Sequence, residues 1–176
     1  MRESVRGASR RARHAALLVA LLATAALPAS AESSSALLVD PRLGPLVHRT
    51  VERAAERFAT PGCGALLTDF TDVRSGQPLA ETLAATGRTA TGFLASLRFL
   101  DADHMVQCRQ RAAWAWVPVG SDVVFVCRSR FEKLVRKDEW LAANILVHEA
   151  LHSLGLGENP PSSEEITQAV VRRCGR

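Results

Sequence analysis

The chain has 176 residues, 22 of them basic and 18 acidic, with 47% apolar residues and no tyrosine. That is material for one domain with one core, not two, and no internal repeat or low-complexity tract interrupts it. The formal charge of +4 is confined to the first residues: residues 1–31 hold five arginines and one glutamate, so that without them 17 basic and 17 acidic residues remain. A nucleic-acid partner needs a basic stripe, and a balanced chain whose basic residues cluster only at Arg128 to Lys137 and Arg172-Arg173 does not offer one.

Residues 1–31 read as a secretory signal peptide. A basic start, "MRESVRGASRRARH", precedes the apolar run "AALLVALLATAAL", and Ala29-Ser30-Ala31 closes it as a cleavage site. The apolar run is too short to span a bilayer, and no second one follows, so the expectation is a secreted or periplasmic protein of residues 32–176 with no membrane span. Cys63, Cys108, Cys127 and Cys174 all fall in that part. An even count in an exported chain favours two disulfides, and none of the spacings is that of a zinc knuckle or a redox C-x-x-C. Three pairings are open; Cys108 with Cys127 across a hairpin, and Cys63 with Cys174 at the last helix, is the expected one.

In chain order, "GPLVHRTVERAAERFA" places Leu46, Val47, Val51, Ala54, Ala55 and Phe58 on one helical face. "TPGCG" stops that helix, and "PLAETLAATG" gives a second, ended by Gly87. The middle changes character. "FLASLRFL", "MVQCRQ", "AAWAWV" and "VVFVC" read as three or four strands, the last two joined by a hairpin at Pro118 to Asp122. Alternation makes Trp114, Trp116 and Phe125 core residues of one sheet face, with a place beside a substrate cleft as the other reading. Ser129 and Glu132 read as a capping box for a short helix, and Asp138 caps the next. From Glu139 to Leu154 apolar residues run nearly all the way round, as in a buried central helix that Gly155 ends. Ser162 and Glu165 form a second capping box, opening the final helix.

The chemistry lies in "HEALHSLGLGENPPSSEEIT", residues 148 to 167. His148 and His152 are four apart, so both imidazoles leave one helix face and can close on a single ion. Glu149, rotated by about 100 degrees from His148, stays out of the ligand set but reaches a water beside it. The bland alternative, two core histidines and an exposed glutamate, leaves several polar groups buried on an apolar helix at several kcal/mol each, which metal binding removes. A third ligand is needed: Glu158, if the turn at Gly155 folds it back under the ion, or Glu165 on the next helix, with Glu164 a poorer choice. The capping box already employs Glu165. Asn144 is placed either to orient the site or as a hydrogen-bonded core residue, and His104 reads as a surface histidine. With no tyrosine in the chain, only His48, His104 or an arginine remains to stabilise an oxyanion.

"HEALHSLGLGE" resembles the H-E-x-x-H-x-x-G-x-x-H/D zinc motif of metzincin metallopeptidases over about eleven residues, with Glu158 where the last ligand stands. The longer stretch is similar to small exported bacterial zincin-like proteins ending in H-E-x-L-H…G-E-N-P-P-x-S-x-E-I-T. The resemblance implies Zn2+ on His148 and His152 with Glu149 as general base, and a zincin-like α+β fold. Such a fold has a small mixed sheet packed on the site helix between N- and C-terminal helices. The chain departs from it in having no methionine after the site and no histidine or aspartate as third ligand; with Glu165 on a ligand helix it would be a compact gluzincin-like version. The expected function is a zinc metallopeptidase acting on a peptide or protein substrate. The other reading is a non-catalytic, disulfide-stapled zinc-binding protein of the envelope.

Overall fold

The computed structural model describes residues 37–110 and 113–175, all within one unit that spans 32–176. The expected signal peptide, 1–31, lies outside the described residues. The periodic segment near the start becomes α1 (Gly44–Phe58), which buries Val47, Val51, Ala54, Ala55 and Phe58. "TPGCG" does not simply end it: Thr60 accepts from the Cys63 N–H and opens a short turn, α2 (Pro61–Gly64), followed by α3 (Leu66–Asp69). Next come α4 (Leu79–Ala85) and α5 (Ala90–Ser96), the latter capped by Thr89.

Among the described residues the sheet has four strands: β1 (Leu38–Val39), β2 (Arg98–Asp101), β3 (Ala115–Trp116) and β4 (Val123–Val126), in the order β1-β2-β4-β3. The first three in that order run parallel, and β3 is the antiparallel edge. Two expected strands are corrected here. "FLAS" is helical because the Thr89 hydroxyl accepts from Gly92 N–H and starts α5, and only "RFLD" goes into the sheet. "MVQCRQ" forms α6 (Val106–Gln110). Cys108 on that helix lies at disulfide distance from Cys127, and the pair packs with Ala102, Met105 and the stacked rings of Trp116 and Phe125, 4.3 Å between centroids. Trp114 instead packs against the main core, so the three aromatics do not form one surface.

Beyond β4, the helix α7 (Arg128–Lys137) begins two residues earlier than the capping-box reading requires. Ser129 therefore sits inside it, its N–H and hydroxyl both donating to the Asp103 carboxylate, while Glu132 pairs with Arg136. Asp138 does cap the next helix, α8 (Glu139–Ser153), accepting from Leu141 N–H at 3.0 Å. Every residue of α8 from Ala142 to Ser153 is buried, with α1, α7 and α9 (Ser163–Cys174) packed around it. The predicted capping box of Ser162 and Glu165 opens α9.

The far end of α9 is fixed by several contacts. Cys174 lies at disulfide distance from Cys63, and Arg173 pairs with Asp69 at 2.8 Å. Buried Arg57 donates to the carbonyls of Cys174 and Gly175 and to Asn144 Oδ1, its guanidinium 4.5 Å above the Trp140 ring. Asn144 is thus a core asparagine serving the helix end, not the histidines. Charge-assisted hydrogen bonds to helix-end carbonyls are among the stronger ones. Arg57→Leu keeps an apolar stem but removes the donor to the Cys174 carbonyl and to Asn144 Oδ1, leaving the Gly175 carbonyl only Asn144 Nδ2, and should cost about 1 to 3 kcal/mol in urea unfolding. A variant as stable as the parent would show that water satisfies the carbonyls instead.

Candidate metal centre

Three ligand-type atoms converge at the C-terminal end of α8. His148 Nε2 lies 2.9 Å from His152 Nε2, and Glu158 Oε1 lies 3.2 Å from the second and 3.8 Å from the first. Among the described residues this is the only His, Cys, Asp and Glu cluster with the spacing to hold a metal ion. An ion about 2 Å from each of three atoms at tetrahedral angles places those atoms roughly 3.3 Å apart. The observed triangle brackets that value, and two imidazoles with one carboxylate are a donor set that suits zinc.

The outer ring nitrogens are also held. His152 Nδ1 lies 2.7 Å from the carbonyl of Leu156. A carbonyl only accepts, so Nδ1 carries the hydrogen and Nε2 presents its lone pair to the cluster. His148 Nδ1 lies 3.0 Å from Thr167 Oγ1 on α9. Glu158 is anionic far into the acid range: the adjacent His148, and then His152 and Ser163, hold its carboxyl down at about 2. Burial pushes the His152 imidazole below its ordinary value as well, which favours the neutral ring.

Glu158 arrives because the chain reverses at two glycines. Gly155 has φ +113, and a Cβ there would strike the carboxylate of Asp72; a Cβ on Gly157 would strike Val73. Asp72 is itself anchored, accepting from Arg74 N–H at 3.0 Å and from the Ser75 hydroxyl. Val73 N–H donates to the Gly155 carbonyl, and Asp72 bridges Leu156. The loop 71–78 is therefore the template against which the turn after α8 is folded. No sequence signal marked Asp72.

Of the two expected third ligands, the fold brings only Glu158 to the histidines. Glu165 is the correction: its Oε2 accepts from the Ser162 N–H at 2.8 Å and from the Ser162 hydroxyl at 2.7 Å, and so it is spent on the helix start. Glu164 bonds Gln168. His104 is exposed, and His48 sits beside Glu52 on α1, along a different groove, so neither serves the site.

Glu149 is buried and lines a cleft of about 480 Å³ together with His148, His152 and Glu158. Burial, reinforced by nearby Glu158 and opposed by His148, pushes its carboxyl up to about 7. The opposite wall of the cleft is β3 and its continuation through Val117, Pro118 and Val119. Gly120 N–H donates to the His152 carbonyl at 2.8 Å, which fastens the hairpin turn to the end of the site helix.

No known protein family, curated protein or solved structure matches this chain.

The turn gives a direct test. Gly155→Ala places a methyl against Asp72 at a φ that side chains rarely adopt, and strain of that kind costs about 1 to 3 kcal/mol. Thermal or urea unfolding should show that loss, with part of it recovered by adding Asp72→Ala. Full stability in the single variant would mean that the turn is not built on Asp72.

Proposed function

We propose that this protein is an exported zinc-dependent metallopeptidase, with His148, His152 and Glu158 as ligands and Glu149 as the general base. The observation that carries the reading is the position of Glu149: a buried carboxyl in the same cleft as the three converging ligand atoms, outside their triangle. A structural site has no use for such a group, because structural zinc is closed by four protein ligands and needs no base. Three ligands leave a position open.

Zinc held there would supply a Lewis acid for the scissile carbonyl and a water of lowered pKa. Glu149 takes the proton of the attacking water and returns it to the leaving amine. A carboxyl poised near neutrality suits both transfers. His152 and His148 keep their Nε2 atoms aimed at the cleft through the partners of their Nδ1 atoms.

The edge strand supports an extended peptide as substrate. Cys127 N–H donates to the Trp114 carbonyl, and Trp116 stands opposite Phe125, so the backbone groups of residues 114 and 116 face β4. In an antiparallel ladder the intervening residues face the other way. Ala115 and Val117 therefore turn their N–H and C=O to the free edge, and both line the cleft. Pro118 offers no N–H beyond them. The pairing available to a substrate strand is short, about two residues of alternate backbone contact.

Two outcomes follow. Glu149→Gln should still take up about one zinc per chain, yet cleave a mixed peptide library about a hundred- to ten-thousandfold more slowly than the parent. Zinc uptake by both proteins with cleavage by neither would favour the non-catalytic zinc-binding reading. For any peptide that is cleaved, N-methylation of one amide at a time should abolish cleavage at alternate positions near the scissile bond. Equal tolerance at every position would remove β3 from substrate binding.

A further inference from the structure

We infer that Thr167, by accepting from His148 Nδ1 when His148 ligates through Nε2, sets how tightly the site holds its metal, an inference that rests on the metal-site reading above. A neutral imidazole carries one hydrogen, on Nδ1 or on Nε2, and only the first form leaves Nε2 free to ligate. For His152 the Leu156 carbonyl leaves no choice, since a carbonyl must receive a hydrogen. For His148 the partner is a hydroxyl, Thr167 Oγ1 at 3.0 Å, which can accept from Nδ1 or donate to it.

The choice matters because the two Nε2 atoms lie 2.9 Å apart. With the hydrogen on His148 Nε2, that ring donates to the lone pair of His152 Nε2, and the two rings satisfy each other with no ion present. With the hydrogen on Nδ1, Thr167 accepts it. Two imidazole lone pairs and the Glu158 carboxylate then face one another with no hydrogen between them. That arrangement is unfavourable until a cation fills it. The Thr167 hydroxyl can serve both states, donating to Nδ1 in the self-satisfied pair and accepting from it in the ligand set, where without it the Nδ1 hydrogen would be left unmet.

Thr167 is fixed in place to do this. Ser163, one turn earlier on α9, lines the same cleft as Glu158, so the start of this helix borders the site. The other end of that helix is clamped by Cys63, Arg57 and Asp69. Thr167 is a positioning residue, touching neither ion nor substrate.

The test compares the parent with Thr167→Val, which keeps the shape and removes the hydroxyl, and Thr167→Ser, which restores it. Chelator competition reports zinc affinity, and imidazole nitrogen spectra report the tautomer. In the parent the His148 hydrogen should lie on Nε2 without metal and on Nδ1 with zinc bound. The valine variant should bind zinc about 10- to 100-fold more weakly, and the serine variant should match the parent. Thr167→Ala, which adds no new methyl, must change in the same direction as valine. Zinc affinity unchanged in the valine and alanine variants, or lowered as much in the serine variant, would overturn the inference. A parent protein that takes up no zinc would overturn the metal-site reading instead.

Discussion

The hydrogen bond from His152 Nδ1 to the Leu156 carbonyl, 2.7 Å long, is the constraint on which the rest of the site depends. It requires the chain to reverse within four residues of His152, which still lies on the helix. That reversal requires glycine at 155 and 157, and the glycines in turn allow the 71–78 loop to lie directly against the turn. Once the reversal is made, Glu158 stands beside both imidazoles. A single buried N–H that must find an acceptor thus links the helix, the turn, a loop some eighty residues earlier in the chain, and Glu158.

The polar face of α8 is costly to place at the centre of a small protein, and the surrounding architecture is arranged to contain that cost. Twelve consecutive buried residues make α8 an interior helix. Its polar groups are gathered at two separate stations. Asn144 serves the carbonyls at the end of α9 together with Arg57, and the histidines with Glu149 open on the cleft. Between the stations the helix is apolar and packs against α1, α7 and α9.

What could be read from the sequence was mainly what is local. The periodicity of α1, the Asp138 cap, the Ser162 and Glu165 box and the four-residue spacing of the histidines each lie within a turn or two of chain, where geometry follows directly from residue type. Local signals failed where a distant group competed. Ser129 was drawn from its expected cap by Asp103, and "MVQCRQ" became helical where Cys108 is tied to Cys127. β1, two residues pairing in parallel with a strand sixty positions later, had no local signature at all. The choice between Glu158 and Glu165 was open in the sequence because it depended on whether a capping box is kept when a metal site could claim its carboxylate. Thr167 went unread for a related reason, since its partner His148 is reached only around the turn between two helices.

The two cysteine pairs are nested: Cys108 and Cys127 lie inside the interval closed by Cys63 and Cys174, which are 111 positions apart. The exposed hairpin turn at 118–120, beside the cleft, falls within both. A backbone cut in that turn leaves two fragments that stay joined at two points, one near the wall of the cleft and one under the helix that carries Thr167. A chain whose own cleft lies beside an exposed turn can therefore be nicked there and remain a single covalent body.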